Sequence, residues 1–456
     1  MKSKRAALWL AIGGLVGCGG MTAASAADQF VSDAGYVSAS SAAANSIQRV
    51  GLLDGCGGSG CDTGCDESTE VMCDDECGCD AACDGGCDSG CAGALPGMLE
   101  CDLGDPCSLF GEVGGYSIGG WVQMGYHTNA VPLFNNRPDE FNLHQAWLYA
   151  EKALDTENGF DIGGRIDYLY GIDAQDTQAF GIGNGHWDTD WVNGEYGHSI
   201  PQLYGEVGYG DISVKMGHFY TIIGWEVVGA PDNFFYSHAY TMYNSEPFTH
   251  TGALATVGIS DDLTAYGGYV LGWDSGFEDN GDAFLGGASL SLSDDMTITY
   301  ATVGGRFGDS NVGTGEQGYM HSIVSDISVT DNLQYISQSD YLSTVDGISG
   351  QTVRETFGFN QYLIYTISDC VAYGARFEYY SQEGVFLNDN GTPDNEDDDF
   401  NDESDIFALT LGVNYKPHAN VLIRPEIRWD FDDEELAGLD EGDSQTTFGM
   451  DTILLF

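Results

Sequence analysis

The residues able to do chemistry in this chain fall into two groups: cysteines crowded into one early stretch, and charged side chains set in alternating runs further on. Eleven of the 13 cysteines lie between Cys56 and Cys107. Cys61 and Cys65 are four apart, as are Cys73 and Cys77, and then Cys79, Cys83, Cys87 and Cys91. Asp, Gly and Ser fill most of the intervals. Two chemistries suit such a tract. Disulfides serve an exported segment with too few apolar residues to build a core. Metal binding is the rival, because Cys and Asp both ligate cations. No paired CxxC spacing of a zinc site is present, so disulfides are the reading adopted and no metal site is assigned. The disulfide candidates are Cys61, Cys65, Cys73, Cys77, Cys83, Cys87 and Cys91. Eleven is odd, so one thiol is free or pairs elsewhere, with Cys370 or another molecule as partner.

The charged group has a clear period. Between Val421 and Asp432, Arg424, Glu426, Arg428 and Asp430 alternate with Ile423, Pro425, Ile427 and Trp429. Arg376 and Glu378 alternate with Phe377 and Tyr379, and Arg165 and Asp167 with Ile166 and Tyr168. A period of two means strands, with successive side chains on opposite faces. Pro425 cannot donate to a ladder, so a bulge or a missing bond is expected there. If the apolar face meets lipid, the charged face lines a lumen. Rings of charge in a pore select ions by sign, and the same pairs can also brace the wall. The pore-lining candidates are Arg165, Asp167, Lys215, Arg306, Arg376, Glu378, Arg424, Glu426, Arg428 and Asp430. Catalytic candidates are absent: the sequence holds no P-loop, no G-x-S-x-G elbow and no paired metal-ligand helix motif.

Such residues need elements to hold them. Sixteen alternating runs are recognisable, beginning near residues 116, 141, 160, 200, 211, 248, 263, 283, 296, 317, 332, 353, 370, 406, 420 and 446. Tight turns follow the even-numbered runs. Four share a texture, as in Ser260-Asp261-Asp262-Leu263 and Thr330-Asp331-Asn332-Leu333, where Asp and Asn bond their own backbone. Longer loops follow the odd-numbered runs. That segregation is what an up-and-down outer-membrane barrel requires, and an even count puts both chain ends on the short-turn, periplasmic side. The fold class expected is all-β: a closed antiparallel transmembrane barrel of about sixteen strands, preceded by an irregular Cys-rich segment. Aromatic residues cluster at the long-loop ends, among them Tyr168, Phe219, Tyr269, Trp273 and Phe431 on odd runs. Phe141, Phe248, Phe284, Phe357, Phe407 and Phe448 open even ones. An interfacial belt would place them so. The loop from Ile222 to Pro247 is rich in apolar rings, including Trp225, Phe234, Phe235, Tyr236, Tyr240 and Tyr243. It is expected either to pack inward and narrow the pore or to close over the barrel mouth.

Composition narrows the class. The chain has 71 acidic and 14 basic residues among 456, a formal net charge of −57, yet 42% of residues are hydrophobic and 12% aromatic. The aromatic content argues against disorder throughout, and the lack of a basic footprint excludes nucleic acid as a partner. The charge is local. Residues 54–105 carry 14 acids and no base, residues 389–405 carry nine acids and residues 432–443 carry seven. The two late loops have no EF-hand spacing, so only weak, diffuse attraction of Ca²⁺ is expected of them. At the N-terminus, Lys2, Lys4 and Arg5 precede an apolar Ala6–Val16 and a small-residue site at Ala24-Ser25-Ala26, the pattern of a secretory signal. Leu15-Val16-Gly17-Cys18 offers a competing lipobox. The organisation expected is a signal peptide over 1–26, an Ala/Ser-rich linker over 27–55, the Cys-rich periplasmic segment over 56–109 and the barrel over 110–456.

Four stretches carry a family resemblance: Gly120-Trp121 to His127, FNLHQAWLYAEKALD from Phe141, DIGGRIDYLYGIDAQ from Asp161, and the long run IPQLYGEVGYGDISVKMGHFYTIIGWEVVGAPDNFFYSHAYTMYNSEPFTHTG from Ile200. They resemble the putative beta-barrel porin-2 family over about residues 110–456. The resemblance implies an outer-membrane barrel acting as a porin, and it brings no catalytic residues. The closing strand TTFGMDTILLF ends on Phe456, which is similar to the terminal aromatic of outer-membrane barrels. The function expected is passive diffusion of small hydrophilic solutes or ions. The alternative is a structural anchor whose Cys-rich segment crosslinks envelope proteins. Expected partners are outer-membrane lipid and the permeating solutes, with a homo-oligomer and disulfide-linked envelope proteins as further candidates.

Overall fold

The computed structural model describes residues 103–456 apart from 105, 132, 180–185, 279–280, 309–314, 384–403 and 433–443. The signal segment, the cysteine tract with its seven disulfide candidates, and most of the two acidic loops lie outside the described residues.

Sixteen long strands form one sheet: β1 Tyr116–His127, β2 Phe141–Lys152, β3 Phe160–Gly171, β4 in two pieces (Tyr196–Ser199 and Leu203–Tyr209), β5 Ile212–Tyr220, β6 Thr249–Ser260, β7 Leu263–Val270, β8 Asp282–Ser293, β9 Met296–Gly308, β10 Glu316–Thr330, β11 Leu333–Asp346, β12 Thr352–Ser368, β13 Val371–Glu383, β14 Ser404–His418, β15 Val421–Asp432 and β16 Ser444–Leu455. Each pairs antiparallel with its neighbours, and β16 pairs back onto β1, from Gly449 opposite His127 to Leu455 opposite Trp121. The terminal Phe456 completes the seam by exchanging backbone hydrogen bonds with Gly120 at 2.9 and 3.0 Å. Closure gives every one of the sixteen long strands a neighbour on both sides, as a lipid-embedded sheet requires. Strand positions match the sequence reading to within a few residues. The ladder between β14 and β15 passes from Gly412–Glu426 to Tyr415–Ile423, so pairing lapses opposite Pro425 as its missing N–H dictates.

Short turns such as 210–211, 261–262 and 294–295 gather at one rim and long loops at the other. Connection 347–351 on the long-loop side is also brief. The chain enters at the short-turn rim. There the backbone N–H of Cys107 donates to Asn420 Oδ1 (2.7 Å), Asn420 Nδ2 donates back to the Cys107 carbonyl (2.8 Å), and Ala419 N–H reaches Leu103 O. Cys107 is free; Cys370, on the neighbouring turn, is disulfide-bonded.

No described helix is long and apolar enough to cross a membrane; the strands supply the apolar surface instead. Outward positions hold Phe160, Ile162, Ile166, Phe284, Phe377, Leu409, Phe431 and Met450, all exposed. Tyr168, Tyr269, Phe141, Phe407 and Phe448 stand outward near the long-loop rim, where the belt was expected. Three expected members of that belt do not. Phe219, Trp273 and Phe248 are buried. Phe219 and Trp273 pack inside with Leu254, Leu285, Val303, Met320 and Leu342. That cluster makes one side of the interior apolar, which alternation of charge elsewhere did not suggest.

Candidate functional site

Between β5 and β6 the chain turns into the barrel. Residues 221–248 cross the interior, with a 3₁₀ turn at Ala230–Asp232 and a short helix α2 at Tyr240–Ser245. A backbone buried there has no strand beside it, so its N–H and C=O groups need other partners. The wall provides them through the charged alternation of β13 and β15.

Three arginines hold loop carbonyls. Arg376 donates to Ser237 O (2.6 Å), Arg424 to Ala230 O (2.8 Å) and Asn233 O (2.6 Å), and Arg428 to His238 O (2.9 Å). Wall carboxylates take the loop N–H groups. Glu426 accepts from Tyr236 (2.9 Å) and Ser237 (3.1 Å), and Glu378 from Tyr240 (2.9 Å). The charges also neutralise one another. Arg376 pairs with Glu378 and with the loop's own Glu226, each at 2.7 Å. Arg428 pairs with Asp430 at 2.7 Å and Arg424 with Asp451 at 2.5 Å. Charge-assisted bonds of this kind are the stronger ones. Burial alone would raise the Glu226 carboxyl. Arg376, then His238 and the Ala239 N–H, overcome that and hold it down at about 2.

Shape completes the lock. Phe234 sits where a side chain on Gly374 of β13 would stand. The Tyr236 ring lies against Gly125 of β1 and Gly449 of β16, at 2.7 and 3.0 Å from the positions their Cβ atoms would take. Glycine at these wall positions gives the rings their seats. The guanidinium of Arg376 lies over Phe235 (5.0 Å) and that of Arg428 over Tyr240 (4.9 Å), adding cation–π attraction.

Each sequence-level candidate now has a place. Arg376, Glu378, Arg424, Glu426, Arg428 and Asp430 share one inward face, and Arg376, Arg428 and Asp430 have no exposed surface. They lie under the loop. Arg165 and Asp167 on β3 are paired at 2.6 Å, with Glu151 at 3.1 Å, and are buried too. Lys215 keeps partial exposure, its ammonium 4.4 Å from the Tyr204 ring and opposite Glu206. Lumen-facing Ser213, Thr256 and Thr264 nearby are also partly exposed. Arg306 is a correction. It has the parity of Tyr300 and Gly304, faces outward and pairs with Asp282 at the rim (2.6 Å), both about half exposed. Trp225, Phe234, Phe235 and Tyr236 all belong to the inserted loop, Trp225 donating its backbone N–H to Gln338 Oε1 (3.0 Å).

Two buried polar chains were not anticipated. Tyr236 OH bonds His144 Nε2 (2.6 Å), whose Nδ1 meets Asp173 (2.8 Å) on the short helix α1, Asp173–Thr177; His127 Nδ1 lies 3.3 Å from the same hydroxyl. At the loop's other end, Gln338 Nε2 lies 2.5 Å from Glu246 and 2.8 Å from Asp340. Burial, then Asp340, push Glu246 well up. Contacts between residues so far apart in sequence have no local signature.

Asp274, in the loop after β7, anchors the exit from the inserted segment by accepting the N–H groups of Phe248 (2.7 Å) and Thr249 (2.8 Å). Burial pushes its carboxyl up to about 7. A carboxyl raised on folding binds its proton more tightly in the folded state. Its contribution is therefore full below the ordinary range near pH ~4 and is lost as pH rises through about 7. Thermal unfolding in detergent should show stability falling across that window. Asp274→Asn, which keeps an accepting oxygen, should flatten the profile; an unchanged slope would assign it to another group.

A family profile described as "Putative beta-barrel porin-2, OmpL-like" matches residues 115–456. No curated protein matches the sequence. Among solved structures, the in-vitro folded OmpT of Vibrio cholerae, an outer membrane protein in trimer form, superposes with a TM-score of 0.51 at 11% identity, covering 76% of this chain and 100% of that one. Salmonella typhi OmpF in complex with daunomycin gives 0.50 at 13% identity, covering 74% and 97%. At such identities the likeness speaks for the barrel fold.

Proposed function

Because this chain belongs to the putative beta-barrel porin-2 family and is an outer-membrane barrel of the porin type, we propose that it passes small hydrophilic solutes or ions by passive diffusion, through a lumen narrowed by the loop 221–248. The observation that carries this reading is the loop itself. It is fastened to the inner wall by Arg376, Arg424 and Arg428 rather than laid over the mouth. A fixed inward loop leaves the open cross-section, and hence the size limit, in the hands of the protein. The solvent-exposed side of the lumen is the wall carrying Glu206, Ser213 and Lys215, across from the loop's docking strands. Passage along that side is the route proposed.

Lumen-facing carboxylates outnumber lumen-facing bases, and the sequence adds acid in the long loops. A pore of that charge favours cations. Purified full-length protein in planar bilayers is expected to give stepwise conductance, with a reversal potential in a KCl gradient on the cation side. A barrel that stays silent removes the channel reading; an anion-side potential leaves the channel and removes the selectivity. Nothing among the described residues favours the envelope-anchor alternative.

A further inference from the structure

The wet side of the lumen carries two opposite charges that face each other and do not pair. Glu206 on β4 stands directly across the ladder from Lys215 on β5. Both point inward, since Lys215 shares the parity of Phe219, which packs inside. Both are partly exposed. Cross-strand partners have Cβ atoms about 5 Å apart, near enough for an ion pair. Glu206 instead accepts the Ser213 hydroxyl (2.8 Å), and the Lys215 ammonium lies 4.4 Å from the centre of the Tyr204 ring. The neighbouring inward base is already matched: Arg165, across from Tyr204, is held by Asp167 and Glu151.

Among the described residues, neither ion is saturated. An ammonium has three donors, and an aromatic face satisfies them only in part. A carboxylate has about four acceptor sites, of which the Ser213 hydroxyl takes one. The surroundings bound the place. Thr256 on β6 stands opposite Ser213 and adds a hydroxyl. Toward the short-turn rim, Leu154 and Thr156 fill the space over Gly208, at 2.9 and 2.7 Å from where its Cβ would stand. Tyr204 borders the pair on the long-loop side.

A lone anion is opposed by the acid that dominates this lumen, and a lone cation by Lys215. An uncharged polyol replaces the water of neither ion. A solute carrying one charge of each sign on a short frame meets a charged partner for both, and charge-assisted bonds are the stronger ones. We propose that Glu206 and Lys215 form a recognition site for small zwitterions of the amino-acid class, with the solute carboxylate at Lys215 and its ammonium at Glu206. The site deepens the channel reading and rests on it, because it needs the lumen open to solutes at this height.

The test reads binding and conduction separately. Saturation-transfer NMR on the full-length protein in detergent micelles uses L-glutamine as probe, with ribitol and N-acetylglutamine as comparisons; planar bilayers report conductance. Wild type is expected to bind glutamine saturably and the other two far more weakly. Lys215→Gln and Glu206→Gln should each lower glutamine affinity about tenfold, the order expected for losing one hydrogen bond to a charged group. Lys215→Glu combined with Glu206→Lys keeps both charges in reversed places and should recover binding, which a structural role for the two residues would not produce. Heat-modifiable gel mobility reports folding, and the comparison of solutes on wild type needs no variant. A silent barrel that still binds glutamine removes the channel and keeps the site. A conducting barrel without saturable glutamine binding keeps the channel and overturns the site. Equal binding of ribitol or N-acetylglutamine overturns it too, as does unchanged affinity in the folded single variants or a folded reversed pair that stays as weak as they are.

Discussion

Replacing residues 227–244 with a short Gly/Ser linker is expected to raise single-channel conductance several-fold. Conductance follows the open cross-section at the narrowest level, and these residues occupy the interior at the height where β13 and β15 point their charges inward. Removing the loop also strips three arginines of their loop acceptors. Arg376, Arg424 and Arg428 keep Glu378, Asp451 and Asp430 as partners on the wall, so the widened lumen gains hydrated ion pairs in place of a packed interface. The strand ladders of β5 and β6 pair directly along their length, from Ile212–Val257 to Tyr220–Thr249, and do not need the loop for register. The measurement is the step size in planar bilayers, accompanied by heat-modifiable mobility as evidence of folding. An unchanged step with a folded barrel would mean that the limiting constriction is elsewhere and would end the assignment of the loop as the gate on size.

The second large effect concerns Arg376. Arg376→Met keeps much of the stem volume and removes the charge. It leaves Glu226 and Glu378 facing each other's environment without their common cation, and leaves Ser237 O without a donor. Breaking a buried ion pair from one side costs about 3–5 kcal/mol, because the remaining charge stays desolvated. Urea unfolding in lipid vesicles, followed by tryptophan fluorescence, should register a loss of that order. Adding Glu226→Gln and Glu378→Gln to the same chain should restore part of it, since the three residues act as one unit. If Arg376→Met costs no more than a surface change, water reaches the cluster and the lock is weaker than its geometry. The sign with pH follows from Glu226. Its carboxyl is held at about 2, so its contribution is full above the ordinary carboxylate range and is lost as pH falls toward that value.

The alternation of Arg376 and Glu378 with Phe377, and of Arg424 through Asp430 with Ile423, Ile427 and Trp429, identified the inward face correctly. The aromatic content of residues 222–247 left the loop either packed inward or closed over the mouth, and it is inside. What the alternation did not carry was the distinction between an inward charge that meets water and one that meets a loop. Lys215 keeps its exposure and Arg376 has none, yet both are basic residues at inward positions. Arg306 differs in that its own strand places it outward: it shares the parity of Tyr300 and pairs with Asp282 at the rim.

Sequence by itself determined the wall. Side-chain alternation is set by the backbone pleat, tight Asp/Asn turns are set by local hydrogen bonding, and an apolar outward face leaves the chain no stable arrangement in lipid but a closed sheet. All of that is decided within a dozen residues at a time. Tertiary structure decided the interior. Closure of β16 onto β1 brings Gly449 beside His127 and so places Gly125, His144, Glu426 and Asp451 around one loop. Which glycine seats which ring, which arginine takes which carbonyl, and which side of the lumen stays wet depend on satisfying a buried backbone from strands far away in the chain. The physical reason is that hydrogen-bond demand in a lumen is met by whatever the curvature of the sheet brings within reach, and curvature is a property of the whole barrel.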